Sequence, residues 1–175
     1  MADSDSIDRH ITRWRAEVPQ LDPAVEGVAT RMQMLVRHLQ GRKEKSLAQR
    51  GLKGWEYEIL WQLRAAGTPY RMTPTRLAAA LHVHPATLTN RLDRLAEAGH
   101  ITREHASGDR RSLLVTLTDK GRAAWSTTIG DQAAAEHALL APLSDIECDQ
   151  LAALLRKITL GAEAGGAPLM PDPED

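Results

Sequence analysis

Two adjacent arginines, Arg110 and Arg111, follow Asp109 in the stretch SGDRRSLLVTLTDKG. Guanidinium groups placed together suit phosphate, because they neutralise backbone charge or enter a narrow, electronegative groove of duplex DNA. Asp109 beside them supplies a charge-assisted hydrogen bond that holds an arginine in place. Upstream, Thr87, Thr89, Asn90, Arg91 and Arg94 offer hydroxyl, amide and guanidinium groups, which suit hydrogen bonding and positive charge better than packing. Residues 71–111 hold seven arginines against four carboxylates, a local charge of +3 in a chain whose formal net charge is −1. The positive charge is therefore concentrated, and it is all arginine.

Other chemistries have weaker support. His82 and His84, with His100 and His105 further on, invite a metal-sensing alternative, since imidazole is a common zinc ligand. No cysteine or acidic cluster completes a tetrahedral set, so no metal and no cofactor is expected. Cys148 is the one cysteine, which excludes an internal disulfide and any Cys-pair zinc site. There is no Gly-rich phosphate loop, no nucleophile with a base at telling spacing and no paired carboxylates in a plausible cleft, so the chain is not expected to be an enzyme.

The elements that must position these residues follow from periodicity and caps. Ile7, Ile11, Trp14 and Val18 recur at helical spacing and predict a short amphipathic helix over 6–18, ended by Pro19. Asp22-Pro23 opens a long helix to about Arg50, with Val25, Val28, Met32, Leu35 and Leu39 on one face. A third helix spans roughly Lys53–Ala66, stopped by Gly67. Thr73-Pro74 and His84-Pro85 each start a short helix, the second burying Leu88, Leu92 and Leu95 and ending at Gly99. Two short helices about a tight turn form a helix-turn-helix. The polar residues of 87–94 occupy its outer face.

Residues 100–106 and 111–118 read as the limbs of a hairpin, with Leu113, Val115 and Leu117 on one face. Thr118 caps a long helix to about Ala141, and Ser144-Asp-Ile-Glu147 is a capping box that opens a last helix striped by Leu151, Leu154, Leu155 and Ile158. A helix-turn-helix followed by a hairpin is a winged helix. The expected fold is mainly α: a winged helix-turn-helix lobe with a two-stranded wing, and a helical dimerisation lobe. The expected division is an N-terminal extension over 1–21, helical dimerisation regions over 22–52 and 119–163, a DNA-binding domain over 53–118, and a disordered tail over 164–175. The apolar stripes outside the winged lobe need a partner, so a symmetric dimer reading a pseudo-palindromic DNA site is expected. The alternative is a helical dimer that does not bind DNA.

Composition agrees with a globular, helix-rich chain: 42% apolar, 26% charged, 3% aromatic and no Phe over 175 residues. No apolar run is long enough to span a bilayer and MADSDSIDRH is unlike a signal peptide, so a cytoplasmic protein with no membrane partner is expected.

The stretches LAAALHVHPATLTNRLDRLAEAGHI and DRRSLLVTLTDKG resemble the MarR family of dimeric winged-helix transcription regulators. Asp109-x-Arg111, Leu117-Thr118 and Gly121 match the family's wing-to-helix pattern, and the likeness extends over about residues 22–160. It implies a repressor, with Thr87, Thr89, Asn90 and Arg94 contacting the groove and Arg110 and Arg111 at the wing. It also implies release by a small ligand. The extra N-terminal helix with Trp14 resembles the urate-responsive branch, which pairs an acidic residue with two arginines. The matching positions are taken as Glu58, Arg91 and Arg103. Where the branch typically has Asp, Glu58 is longer, so the implied ligand widens to urate, another purine or a tricarboxylate-like anion.

Overall fold

In the computed structural model, residues 4–106, 109–166 and 169 are described, excepting the side chains of 106–112. The chain divides into two compact units, Met1–Ala133 and Ala134–Asp175. The first contains α1 (Ser6–Glu17), α2 (Pro23–Gln49), α3 (Gly54–Ala65), β1 (Arg71–Met72), α4 (Pro74–Ala80), α5 (Pro85–Glu97), β2 (Ile101–Ala106) and β3 (Asp109–Leu117). Helix α6 (Asp119–Leu140) begins in the first unit and ends in the second, which also holds α7 (Asp145–Glu163).

The caps are those the sequence demands. Asp22 accepts from the Ala24 and Val25 amides, and Thr73 accepts from Arg76 N. Ser144 and Glu147 form the reciprocal capping box at α7. Helix α1 carries a second such box, between Asp5 and Asp8. Those two carboxylates also hold Arg31 of α2, at 2.9 and 2.6 Å, and so tie α1 to α2. The two helices approach closely at Gly27, where an added Cβ would lie 3.6 Å from Ile11 Cδ1.

The core of the first unit is mainly aliphatic, with Tyr57 buried among leucines and isoleucines. Leu60, Leu63 and Ile59 of α3 meet Leu77 of α4 and Leu88, Leu92 and Leu95 of α5. The wing closes over them through Ile101, Val115 and Leu117.

The structure adds one strand to the expected hairpin and corrects the placement of one side chain. The expected two-stranded hairpin is β2-β3, and a short third strand joins its sheet: β1 pairs antiparallel with β3 (Arg71↔Thr116, Met72↔Val115), giving the order β1-β3-β2. Two residues are too few to show alternation, so β1 leaves no trace in the sequence pattern. Trp14 does not join Ile11 inside; Ile11 is buried, whereas Trp14 is 46% exposed and tilted against His10 with ring centroids 6.0 Å apart. In the single chain, Val25, Val28 and Leu35 of the α2 stripe are exposed, so that face is not covered by the rest of the unit. Among the described residues, no helix is long and apolar enough to cross a membrane.

Candidate functional site

Helix α5 carries the polar residues that the sequence singles out at 87–94. Its N-cap is His84, whose Nδ1 accepts from Ala86 N at 3.3 Å, and Pro85 supplies a preset first turn. Leu88, Leu92 and Leu95 anchor one side in the core, which turns Thr87, Thr89, Asn90 and Arg94 outward to exposed positions. Thr89 Oγ1 is engaged locally, donating to Pro85 O at 3.1 Å. The helix stops at the left-handed Gly99, φ +73.

Arg94 has a second commitment. Its Nε lies 2.6 Å from Glu56 Oε1 while its side chain stays about half exposed (48%). Glu56 is 2% exposed, and its other oxygen accepts from Lys53 N at 2.6 Å, closing the N-terminus of α3. One buried carboxylate thus joins the start of α3 to α5. Trp55, next in sequence, lies beneath Arg91 and Arg94 at 5.1 and 5.9 Å from its ring centroid. Sequence reading missed both residues. A Trp-Glu pair at the start of a helix, one helix before the reader, was the available signal.

The wing is fastened to α5 as well. Register pairs Arg103 with Val115 on the inner face of the sheet, and Arg103 there makes an ion pair with Asp93 of α5. At the base of the wing, Thr118 Oγ1 donates to the carbonyls of Gly99 and His100 at 2.8 and 2.9 Å and accepts from Gly121 N at 3.1 Å. A Cβ on Gly121 would collide with His100 O and lie 2.7 Å from Leu117 Cδ1. The Leu117-Thr118…Gly121 pattern therefore has a steric cause. Asp109, Arg110 and Arg111 belong to β3 by backbone, but their side chains lie outside the described residues.

The four residues expected at a ligand each have a different neighbour. Trp14 lies against His10, Arg91 over Trp55 and Arg103 on Asp93. Glu58 is half exposed and accepts from Lys43 Nζ at 3.3 Å. Of these four, only Glu58 lines a pocket of about 270 Å³, between Lys43 of α2, Tyr57 and Trp61 of α3, and Ile129 and Gln132 of α6. Burial, aided by the Glu58 charge, pushes the Tyr57 phenol up to about 12.

The histidines are scattered in their roles. His84 caps α5, His82 sits in a left-handed turn at φ 50, and His100 is buried. Desolvation first, then the Lys120 charge, lowers the His100 pKa. Among the described residues, no three metal-ligating side chains converge.

Residues 55–113 match the family model described as MarR family. The HTH-type transcriptional regulator PecS of Dickeya dadantii (strain 3937) is 35% identical over 151 residues, covering 85% of this chain and 89% of that protein. The HTH-type transcriptional repressor YetL of Bacillus subtilis (strain 168) is 33% identical over 112 residues, 64% of this chain and 66% of that protein. Among solved structures, the YusO protein from Bacillus subtilis matches with a TM-score of 0.71 at 24% identity, over 79% of this chain and 96% of that one. A MepR mutant of S. aureus bound to an oligodeoxyribonucleotide matches with a TM-score of 0.67 at 22% identity, over 77% of this chain and 97% of that one. At these identities, the two solved structures speak for the fold alone.

Proposed function

Because the chain belongs to the MarR family of DNA-binding transcription regulators, we propose that it is a repressor that grips a pseudo-palindromic operator as a homodimer and is released by a small ligand. The observation that carries this reading is the outer face of α5. Thr87 and Asn90 are exposed on a helix whose opposite side is fixed in the core by Leu88, Leu92 and Leu95. A short polar helix held this way projects base-reading groups into a major groove. Thr89 and Arg94 complete the reader, while Arg110 and Arg111, steadied by Asp109, contact phosphate beside it.

The relatives are regulators of transcription rather than enzymes, and YetL is by name a repressor. Dimerisation is supported by apolar side chains left uncovered on α2 and on α7. Arg91 and Arg103 support release by an anion such as urate, another purine or a tricarboxylate, with Trp14 and Glu58 as further contacts. Both guanidiniums are joined to parts that set the reader: Arg91 is on α5, and Arg103 pairs with Asp93 of α5. An anion that drew either one away would disturb α5.

Gel-shift titration with promoter-length duplexes tests this reading. Binding should weaken steeply with salt. Arg111→Ala should reduce affinity for every sequence, whereas Asn90→Ala should mainly reduce the preference for operator over random DNA. The reading fails if no duplex is shifted at low salt, or if both variants lose operator and random binding equally.

A further inference from the structure

The last carbonyls of a helix have no donor within it and must find one elsewhere. At the end of α5, the left-handed Gly99 solves part of this. It lets His100 N donate to Leu95 O and Gly99 N to Ala96 O, at 2.9 Å each. The carbonyls of Ala98, Gly99 and His100 follow, and all three are taken by two residues at the start of α6. Lys120, in its first turn, donates from Nζ to Ala98 O at 2.7 Å. Thr118, which caps it, shares its one hydroxyl proton between Gly99 O and His100 O at 2.8 and 2.9 Å. Thr118 N adds a bond to His100 O at 3.1 Å. An ammonium beside these carbonyls also suits the negative end of the α5 dipole. Strand β2 begins one residue on, at Ile101. The end of α5, the start of the wing and the start of α6 are therefore fastened in a single turn.

We propose that Thr118 and Lys120 are positioning residues for operator recognition: they hold the end of α5 to α6 and so set the half-site spacing that two copies accept. The proposal rests on the reading of the chain as a DNA-binding homodimer. Helix α6 runs on past Ala133, so its first turn joins the winged lobe to the chain leading out of it. Paired readers meet half-sites about one turn of duplex apart, ~10 base pairs. One inserted base pair moves a half-site by about 3.4 Å and rotates it by roughly 35°. A reader fixed rigidly to α6 cannot follow that change, and a loosened one can. Lys120 and Ala98 are exposed, so their bond competes with water and adds little to folding. What it fixes is direction. Neither residue needs to touch DNA, because the Lys120 ammonium is committed to a carbonyl.

The test uses a palindromic duplex selected from a random pool by the wild-type chain, and a copy with one base pair inserted at its centre. The insertion should cost the wild type heavily. Lys120→Met keeps the side chain's length but not its donor. Its affinity for the selected duplex should fall about fivefold, the worth of roughly one hydrogen bond, and the insertion penalty should shrink by a similar factor. Lys120→Arg restores a donor and should recover both. Thr118→Val should act like Lys120→Met, and Thr118→Ser like the wild type. The salt dependence of Lys120→Met should match the wild type, since no phosphate contact is lost. The proposal is overturned if Lys120→Met weakens both duplexes equally, as a fold defect or a lost phosphate contact would. It is also overturned if the salt slope drops by about one, if Lys120→Arg fails to recover the spacing preference, or if the wild type is indifferent to the insertion. Selection of no duplex at all removes the repressor reading and the positioning role with it. A spacing preference that survives Lys120→Met removes the positioning role alone.

Discussion

Arg94 is pulled two ways. Its exposure suits a groove contact, but its Nε is committed to a carboxylate that is itself almost wholly buried. Glu56 gains from the pair, because an ionised carboxylate away from water needs every partner it can find. Glu56→Gln keeps an acceptor for Lys53 N and removes the charge that orients Arg94. The remaining guanidinium is half exposed and stays hydrated, so the stability cost should be modest, on the order of 1 kcal/mol by urea denaturation. Gel shifts should show operator preference narrowing by roughly five- to tenfold, about the worth of one base contact. Unchanged preference would mean that the pair serves the fold alone. The sequence drew attention to Glu58 instead, two residues along. Which of two nearby carboxylates is buried depends on how α5 packs across α3, and single-chain periodicity carries no record of that.

Elements were legible wherever their signals are local. Asp22-Pro23, Thr73-Pro74, His84-Pro85 and Ser144…Glu147 each satisfy orphan amides within a few residues, so the helix starts could be read directly. Strand β1 exists only because β3 offers it an edge, and it was not readable. The turn from wing to α6 lies between these cases. Gly121 stood out as a pattern, and the structure supplies its reason, a carbonyl of His100 where a Cβ would be. Gly121→Ala should therefore destabilise the chain by about 1–3 kcal/mol through overpacking, read as a lower urea midpoint. Gly130, on the same helix with nothing near its absent Cβ, provides the control. Gly130→Ala should stabilise by roughly 0.5–1 kcal/mol. Equal effects at the two sites would show that helix propensity, not the collision, governs Gly121.

At the scale of the molecule, α7 carries the apolar face that the proposed dimer needs. Leu151, Leu154, Leu155 and Ile158 recur along it and all are exposed. A stripe of this kind on a folded helix is characteristic of an interface. Leu151→Glu with Leu155→Glu should convert a dimer to a monomer by light scattering, with helical content preserved and operator binding lost. A dimer that survives both changes would place the twofold contact elsewhere. The indole of Trp55, lying under two guanidiniums of the reader, has a practical corollary. Its emission responds to whatever draws those cations aside, so a version of the protein retaining that single tryptophan would carry its own optical gauge of the reader's state, with no dye attached.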